Sequence, residues 1–321
     1  MNKIKYFLLL CTAILFVACG GNDDAYTDDY VIGGPYYGSA GVPLLWNVTS
    51  PTGQTMYLFG SIHAGHPGMY PLPPFIMDAF ERSDYLVVEI DMSSEPDFSV
   101  IMDMNRLIML DGGTIITDYI DYDLHERAQA IMDYHQPEGW MPMFADHFAP
   151  FMWHITMLQI ITDASELTGE DGIDMHFINL ANERSMPIIE AESIISQMSM
   201  FANFSPELQA ELFRDAVYSV ENLDASVEIM RSMIDAWLIG DVEHFIAISE
   251  SEHEYLDNSL LQEFNAGMLI NRDIEMALVA RDLMSKGWQG FFMVGLYHFL
   301  HEDSIIANLE RAGYTVTRVL P

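Results

Sequence analysis

The sequence predicts an α/β fold, with a central mixed, largely parallel sheet, flanking helices and a helical insertion. Three observations carry that expectation. Short apolar runs alternate with helix-patterned stretches towards both ends of the chain. Residues from about 201 to 286 read instead as almost unbroken helix, which marks the insertion. Two of the apolar runs, Met56–Phe59 and Phe291–Val294, end alike, in Gly60–His63 and Gly295–His298. With this content of glycine and histidine, roughly 0.7 Gly-x-x-His matches arise by chance, so the shared strand context carries the weight. No repeat of solenoid period is visible.

At the start of the chain, Lys3 and Lys5 precede an apolar run, Tyr6 to Ala18, that is too short to span a bilayer. Residues 1–18 therefore read as a signal peptide. Phe16-Val17-Ala18-Cys19 resembles a bacterial lipoprotein signal, in which Cys19 takes lipid and becomes the mature N-terminus. Phe16 stands where leucine is usual, and an ordinary secretory signal is the alternative. Either one exports the chain; the lipoprotein form makes it membrane-anchored and outward-facing. Residues 19–42, rich in Gly, Asp and Tyr, read as a flexible tether, and residues 43–321 as the α/β domain. With Cys11 in the signal and Cys19 lipidated, no cysteine is left for a disulfide or a nucleophile. Loss of Lys3 and Lys5 takes the net charge from −35 to −37. So acidic a surface excludes nucleic acid as a partner and suits solvation outside the cell.

Along the domain, Leu44–Val48 and Met56–Phe59 flank the turn residues Ser50-Pro51-Thr52-Gly53-Gln54, which predicts an opening β-hairpin. A Gly/Pro/His loop leads to a short helix ending near Arg82. Tyr85–Val88 is a buried strand that runs into Glu89. Helices are expected at 121–134, 149–163 and 173–184, then a strand at 187–189 followed by Glu190-Ala191-Glu192. In the helical region Gly240-Asp241 marks a stop and restart, and Asn271 is placed to cap a helix over 272–285. A strand at 290–294, a helix at 302–311 and a strand at 314–320 close the chain.

The chemistry concentrates at strand ends. His63, Glu89, Glu192 and His298 each fall at, or just after, the carboxyl end of a predicted strand. If those strands are parallel, the four side chains share the rim where open α/β sheets bind ligands. Two histidines and a carboxylate are a set that divalent transition metals accept, with positions left for water or substrate. Unconnected polar residues at strand ends are the plainer reading. A Ser61 nucleophile lacks a Gly-x-Ser-x-Gly elbow, and local hydrogen bonding of its hydroxyl is the simpler role. His66 reads as a spare ligand or as a solvated loop residue. The His-Glu dipeptides at 125, 253 and 301 lack a histidine four residues on, so none forms a zincin helix.

Taken together, Leu44–Trp46, Tyr57–His63, Leu86–Asp91, Phe292–His298 and Ile305–Val316 resemble the TraB/GumN family, which includes the Tiki membrane-anchored proteases. The two Gly-x-x-His motifs and Glu89 match its marks. Gly172-Ile173-Asp174, Ala191-Glu192 through Gln197, Trp237–Asp241 and Arg272 match further. By analogy with the Tiki branch, the resemblance implies a divalent-metal-dependent peptidase acting on peptides or proteins near the cell surface. His63 and His298 would be metal ligands and Glu89 a ligand or general base. Glu192, Arg272 and Ser61 would make supporting or substrate contacts. Some members are linked to shutting down peptide pheromones, which fits cleavage or sequestration, so a non-catalytic peptide- or pheromone-binding lipoprotein is the alternative. A weaker third reading is a haem- or metal-binding lipoprotein that uses the same histidines as axial ligands. The family commonly has Arg-Asn where this chain has Arg272-Asp273.

Overall fold

The computed structural model describes residues 41–321 apart from 136–143, 252 and 254; the expected signal, Cys19 and nearly all of the tether lie outside the described residues. Six strands form one sheet: β1 (Leu45–Thr49), β2 (Thr55–Ser61), β3 (Tyr85–Val88), β4 (Ile188–Glu190), β5 (Gly290–Gly295) and β6 (Thr315–Val319). Their order is β4-β3-β5-β2-β1-β6. The strands β4, β3, β5 and β2 are mutually parallel, while β1 runs antiparallel to both β2 and β6. The sheet is thus mixed and mostly parallel, as the strand–helix alternation predicts. Every residue of β3 and β5 is buried, as befits central parallel strands covered on both faces. The β1–β2 turn is closed by Ser50, whose N–H donates to the Gln54 carbonyl at 2.8 Å, while Gly53 supplies φ +92°.

The helices are α1 (Pro74–Glu81), α2 (Phe98–Ile108), α3 (Tyr122–His135), α4 (Pro150–Ala164), α5 (Ile173–Glu183) and α6 (Ile194–Ala202). After them come α7 (Pro206–Glu221), α8 (Leu223–Ile239), α9 (Val242–Ser251), α10 (Asn258–Asn265), α11 (Asn271–Ser285) and α12 (Ile305–Arg311). Among the described residues no helix is long and apolar enough to cross a membrane. On one face of the sheet, Phe80 of α1 and Phe177 of α5 meet Phe59 and Phe291, with ring centroids 5.0–5.6 Å apart and mostly tilted or edge-on. Such aromatic pairs add about 0.5–1.5 kcal/mol each beyond the area they bury. In the helical region α4 is buried almost all round, and Gly240 ends α8 in the left-handed conformation at φ +64°. Trp237 of α8 donates its Nε1–H to the Gly60 carbonyl at 2.9 Å, which ties that region to the end of β2.

Two local expectations need correction. Asn271 does not cap α11: a π-helical turn over Ala266–Ile270 joins α10 to α11 without a break. The Asn271 N–H already donates to the Ala266 carbonyl, so no helix start exists there to be capped. The last helix begins at Ile305 rather than 302, because the Ser304 hydroxyl caps it by accepting from the Ala307 N–H.

Candidate functional site

Because β2, β5, β3 and β4 are parallel neighbours, their carboxyl ends form one rim. The structure brings His63, Glu89 and His298 together there. The Nε2 atom of His63 lies 3.8 Å from Glu89 Oε1, and Nε2 of His298 lies 3.9 Å from the same oxygen. All three are buried, His298 completely. Glycine makes this approach possible: a Cβ on Gly60 would fall 2.3 Å from Leu296 Cδ1, in the turn that carries His298.

Donors reach both oxygens of Glu89. Its Oε1 accepts the Gly295 N–H at 2.8 Å, and its Oε2 accepts Arg272 Nη2 at 2.8 Å and Gln197 Nε2 at 3.1 Å. Arg272 leaves the first turn of α11 and forks onto Glu192 as well, through Nε at 2.9 Å and Nη2 at 2.7 Å. Its Nη1 donates to the Met268 carbonyl inside the π-helical turn, which orients the guanidinium. Glu192 stands beside Glu89 because main-chain pairing continues past the strands, the Glu192 N–H donating to the Glu89 carbonyl at 3.0 Å. Burial alone would raise the Glu89 carboxyl, but Arg272, then His63, His298 and the Gly295 N–H, outweigh it and hold the pKa at about 2.

Each histidine is backed by a buried or half-buried aspartate. Asp174, at the start of α5, accepts from His63 Nδ1 at 2.9 Å through one oxygen and from the Ser61 hydroxyl at 2.8 Å through the other. The Ile173 N–H donates to the Ile62 carbonyl, and Gly172 passes so close that a Cβ there would lie 2.1 Å from the His63 carbonyl oxygen. Asp273, wholly buried on α11, accepts from His298 Nδ1 through Oδ1 and from His301 Nε2 through Oδ2. A carboxylate accepts only, so both imidazoles donate their Nδ1–H and turn Nε2 towards Glu89. Burial alone would lower the His63 pKa; Asp174, by charge and hydrogen bond, and then Glu89 reverse this and raise it, against Arg272.

No group of three or more His, Cys, Asp or Glu side chains among the described residues stands as a ready-made metal cage. The two distances to Glu89 Oε1 nonetheless lie near those that one shared ion would set. Two ligands about 2.1 Å from a metal at the tetrahedral angle stand about 3.4 Å apart, a few tenths of an ångström short of the two distances found here. His298 Nε2 is buried with no hydrogen-bond partner. Histidines that hold metals carry their other N–H on a carboxylate, as both do here.

Comparison with known proteins bears on the whole domain. The model of the TraB/PrgY/gumN family matches residues 44–318. The chain belongs to that family. Two curated relatives, each named "Uncharacterized protein YbaP", from Escherichia coli K12 and Shigella flexneri, are 26% identical over 195 residues, covering 60% of this chain and 67% of theirs. No solved structure matches the chain.

The TraB/PrgY/gumN match spans every rim residue, and also the residues that strand-end reasoning passed over. In the sequence Asp174 and Gln197 stand out only as parts of stretches that resemble the family, and Asp273 only as a departure from asparagine. His301 has no zincin partner and does not lie at a strand end. One signal was available: His301 follows His298 by three residues, as His66 follows His63. The two diverge in the structure, since His66 turns away to cap a short 3-10 turn by accepting from the Gly68 N–H.

Proposed function

We propose that this TraB/PrgY/gumN chain is a divalent-metal-dependent peptidase acting on peptides or proteins, exported and held at the membrane by lipid on Cys19. The observation that carries this reading is the convergence of His63 and His298 Nε2 on one oxygen of Glu89, each histidine fixed from behind by an aspartate. When bound, a divalent ion supplies Lewis-acid polarisation of a carbonyl and acidifies a water. His63 and His298 would hold the ion through Nε2, and Glu89 through Oε1. Between the two roles open to Glu89, its surroundings favour ligand over base. A carboxylate held at about 2 by a guanidinium takes protons poorly, whereas an efficient base titrates near the working pH. Arg272 and Gln197 keep that carboxylate ionised and aimed, and Glu192 neutralises the guanidinium. Ser61 acts through Asp174 and not as a nucleophile, because its hydroxyl is spent on that carboxylate.

The burial of the rim favours a second reading. With Glu89, His63 and His298 at 2%, 4% and 0% exposure, no peptide bond reaches them unless the rim opens. A non-catalytic peptide-binding lipoprotein needs no such opening. One experiment separates the two. Purified residues 20–321 should take up about one divalent ion per chain in high salt, where loose binding to the acidic surface is screened. His63→Ala and His298→Ala should lose most of it, and a chelator should stop cleavage of a diverse peptide library. Peptide retention that survives the chelator, with no turnover under any divalent metal, would establish the binder. Bound colour in the purified protein would point to haem.

A further inference from the structure

Asp273 is fully buried and carries two oxygens that both need donors. His298 fills one and His301 the other. Its counterpart Asp174 is arranged the same way, with the Ser61 hydroxyl in the second place. The two halves of the site thus share one plan, in which a carboxylate grips a histidine by Nδ1 and a second donor keeps the carboxylate from turning. On the His298 side that donor is a second imidazole, three residues further along the same turn, whose side chain is 14% exposed.

We propose that His301 is a positioning residue for metal binding: by donating Nε2–H to Asp273 Oδ2 it holds Oδ1 on His298 Nδ1, and so keeps the lone pair of His298 Nε2 on the side of Glu89. This rests on the metal reading above. The donor type is what matters. Without a donor at 301, Asp273 Oδ2 is a buried acceptor with nothing to accept, and a carboxylate in that position turns to find another donor. That turn releases His298 Nδ1, and the ring then divides between its two tautomers. The tautomer with hydrogen on Nε2 has no lone pair to give. The same logic makes position 273 sensitive: asparagine offers one acceptor and one donor, and can serve only one of the two imidazoles in the manner seen here.

The test uses the full-length chain in detergent, stripped of metal and labelled with nitrogen-15 in histidine, in three forms: wild type, His301→Leu and His301→Gln. Two-bond proton–nitrogen spectra report which ring nitrogen of His298 carries hydrogen, the signals being assigned by their loss in His298→Ala. Zinc affinity is read separately, by competition with a chromophoric chelator. Wild type and His301→Gln, which keeps an N–H donor, should show hydrogen on Nδ1 alone and affinities within about threefold of each other. His301→Leu should show mixed tautomers and bind zinc about 10-fold or more weakly, the loss that removal of such outer partners brings. Thermal unfolding of both variants checks that they fold. If leucine leaves tautomer and affinity unchanged, or if glutamine loses as much as leucine, the inference is overturned. If wild type takes up no zinc, the metal reading falls, and the tautomer spectra alone decide the role of His301.

Discussion

Arg272→Met is the most informative single change, because one guanidinium serves two buried carboxylates. The side chains of Arg272, Glu89 and Glu192 are 10%, 3% and 7% exposed, so water does not replace the lost partner. Removing one member of a buried ion pair costs about 3–5 kcal/mol, mostly through the charge left behind. The lowered pKa of Glu89 points the same way: about 2 against its ordinary 4.5 is a gap worth about 3 kcal/mol at neutral pH, at about 1.4 kcal/mol per pH unit, with Arg272 the largest of the groups that produce it, ahead of His63, His298 and the Gly295 N–H. A domain of about 280 residues unfolds with an entropy of about 0.6 kcal/mol per degree, so the midpoint should fall by about 5–8 °C at pH 7. The sign of the pH effect follows from the lowered pKa. In the wild type this contribution is complete above pH 4.5 and is lost as pH falls through about 2. In the variant burial is opposed only by His63, His298 and the Gly295 N–H, so the Glu89 pKa rises and its penalty is relieved on acidification. The two midpoints, measured by circular dichroism on metal-free protein, should therefore draw together between pH 7 and pH 3. A variant that melts within 1–2 °C of the wild type at pH 7 would refute the reasoning.

Four further outcomes are expected. Asp215, buried on α7, is pushed up to about 8 by burial and then by Glu211; a raised acid destabilises progressively as pH climbs above its unfolded value. Asp215→Asn should thus raise the unfolding midpoint at pH 7.5, by up to about 4 kcal/mol in stability, and give no gain at pH 4. Ser61→Ala should cost about 1–2 kcal/mol and weaken metal uptake, since it removes the donor that steadies Asp174 on His63; total loss of activity with normal metal uptake would make the hydroxyl a nucleophile after all. Gly172→Ala should cost about 1–3 kcal/mol and weaken metal uptake, because the added methyl collides with the His63 carbonyl; calorimetry and metal titration read both. Cys19→Ser should move the protein out of the membrane fraction, or leave its signal uncleaved, and unchanged fractionation and migration would end the lipoprotein reading.

Much of the sheet was legible because its strands are short apolar runs with polar ends, and a polar residue at a strand end is visible without knowing its neighbours. His63, Glu89, Glu192 and His298 were all reachable that way. Strand direction was not, since a four-residue run such as Tyr85–Val88 looks the same in either orientation. The supports of the site were harder still. Asp174 lies 111 positions from the histidine it holds and Gln197 108 from Glu89, and no spacing rule links a helix residue to a strand end it meets only after folding. The π-helical turn was hidden for a related reason: Ala266–Ile270 has ordinary helical composition, and the extra residue in the turn is a matter of backbone hydrogen bonding.

The place of β5 in the sheet bears on how the protein is made. It lies between β2 and β3, yet it is the last of the four parallel strands to be synthesised. Until residues 290–295 arrive, β2 and β3 have no common neighbour, and the middle of the sheet is an open slot flanked by helices that close locally and early. Glu89 then has neither the Gly295 N–H nor His298 beside it. A chain still emerging from the ribosome, or one cut short before its last thirty or so residues, therefore has no assembled rim, and His63, Glu89 and His298 come together only with the insertion of a single late strand.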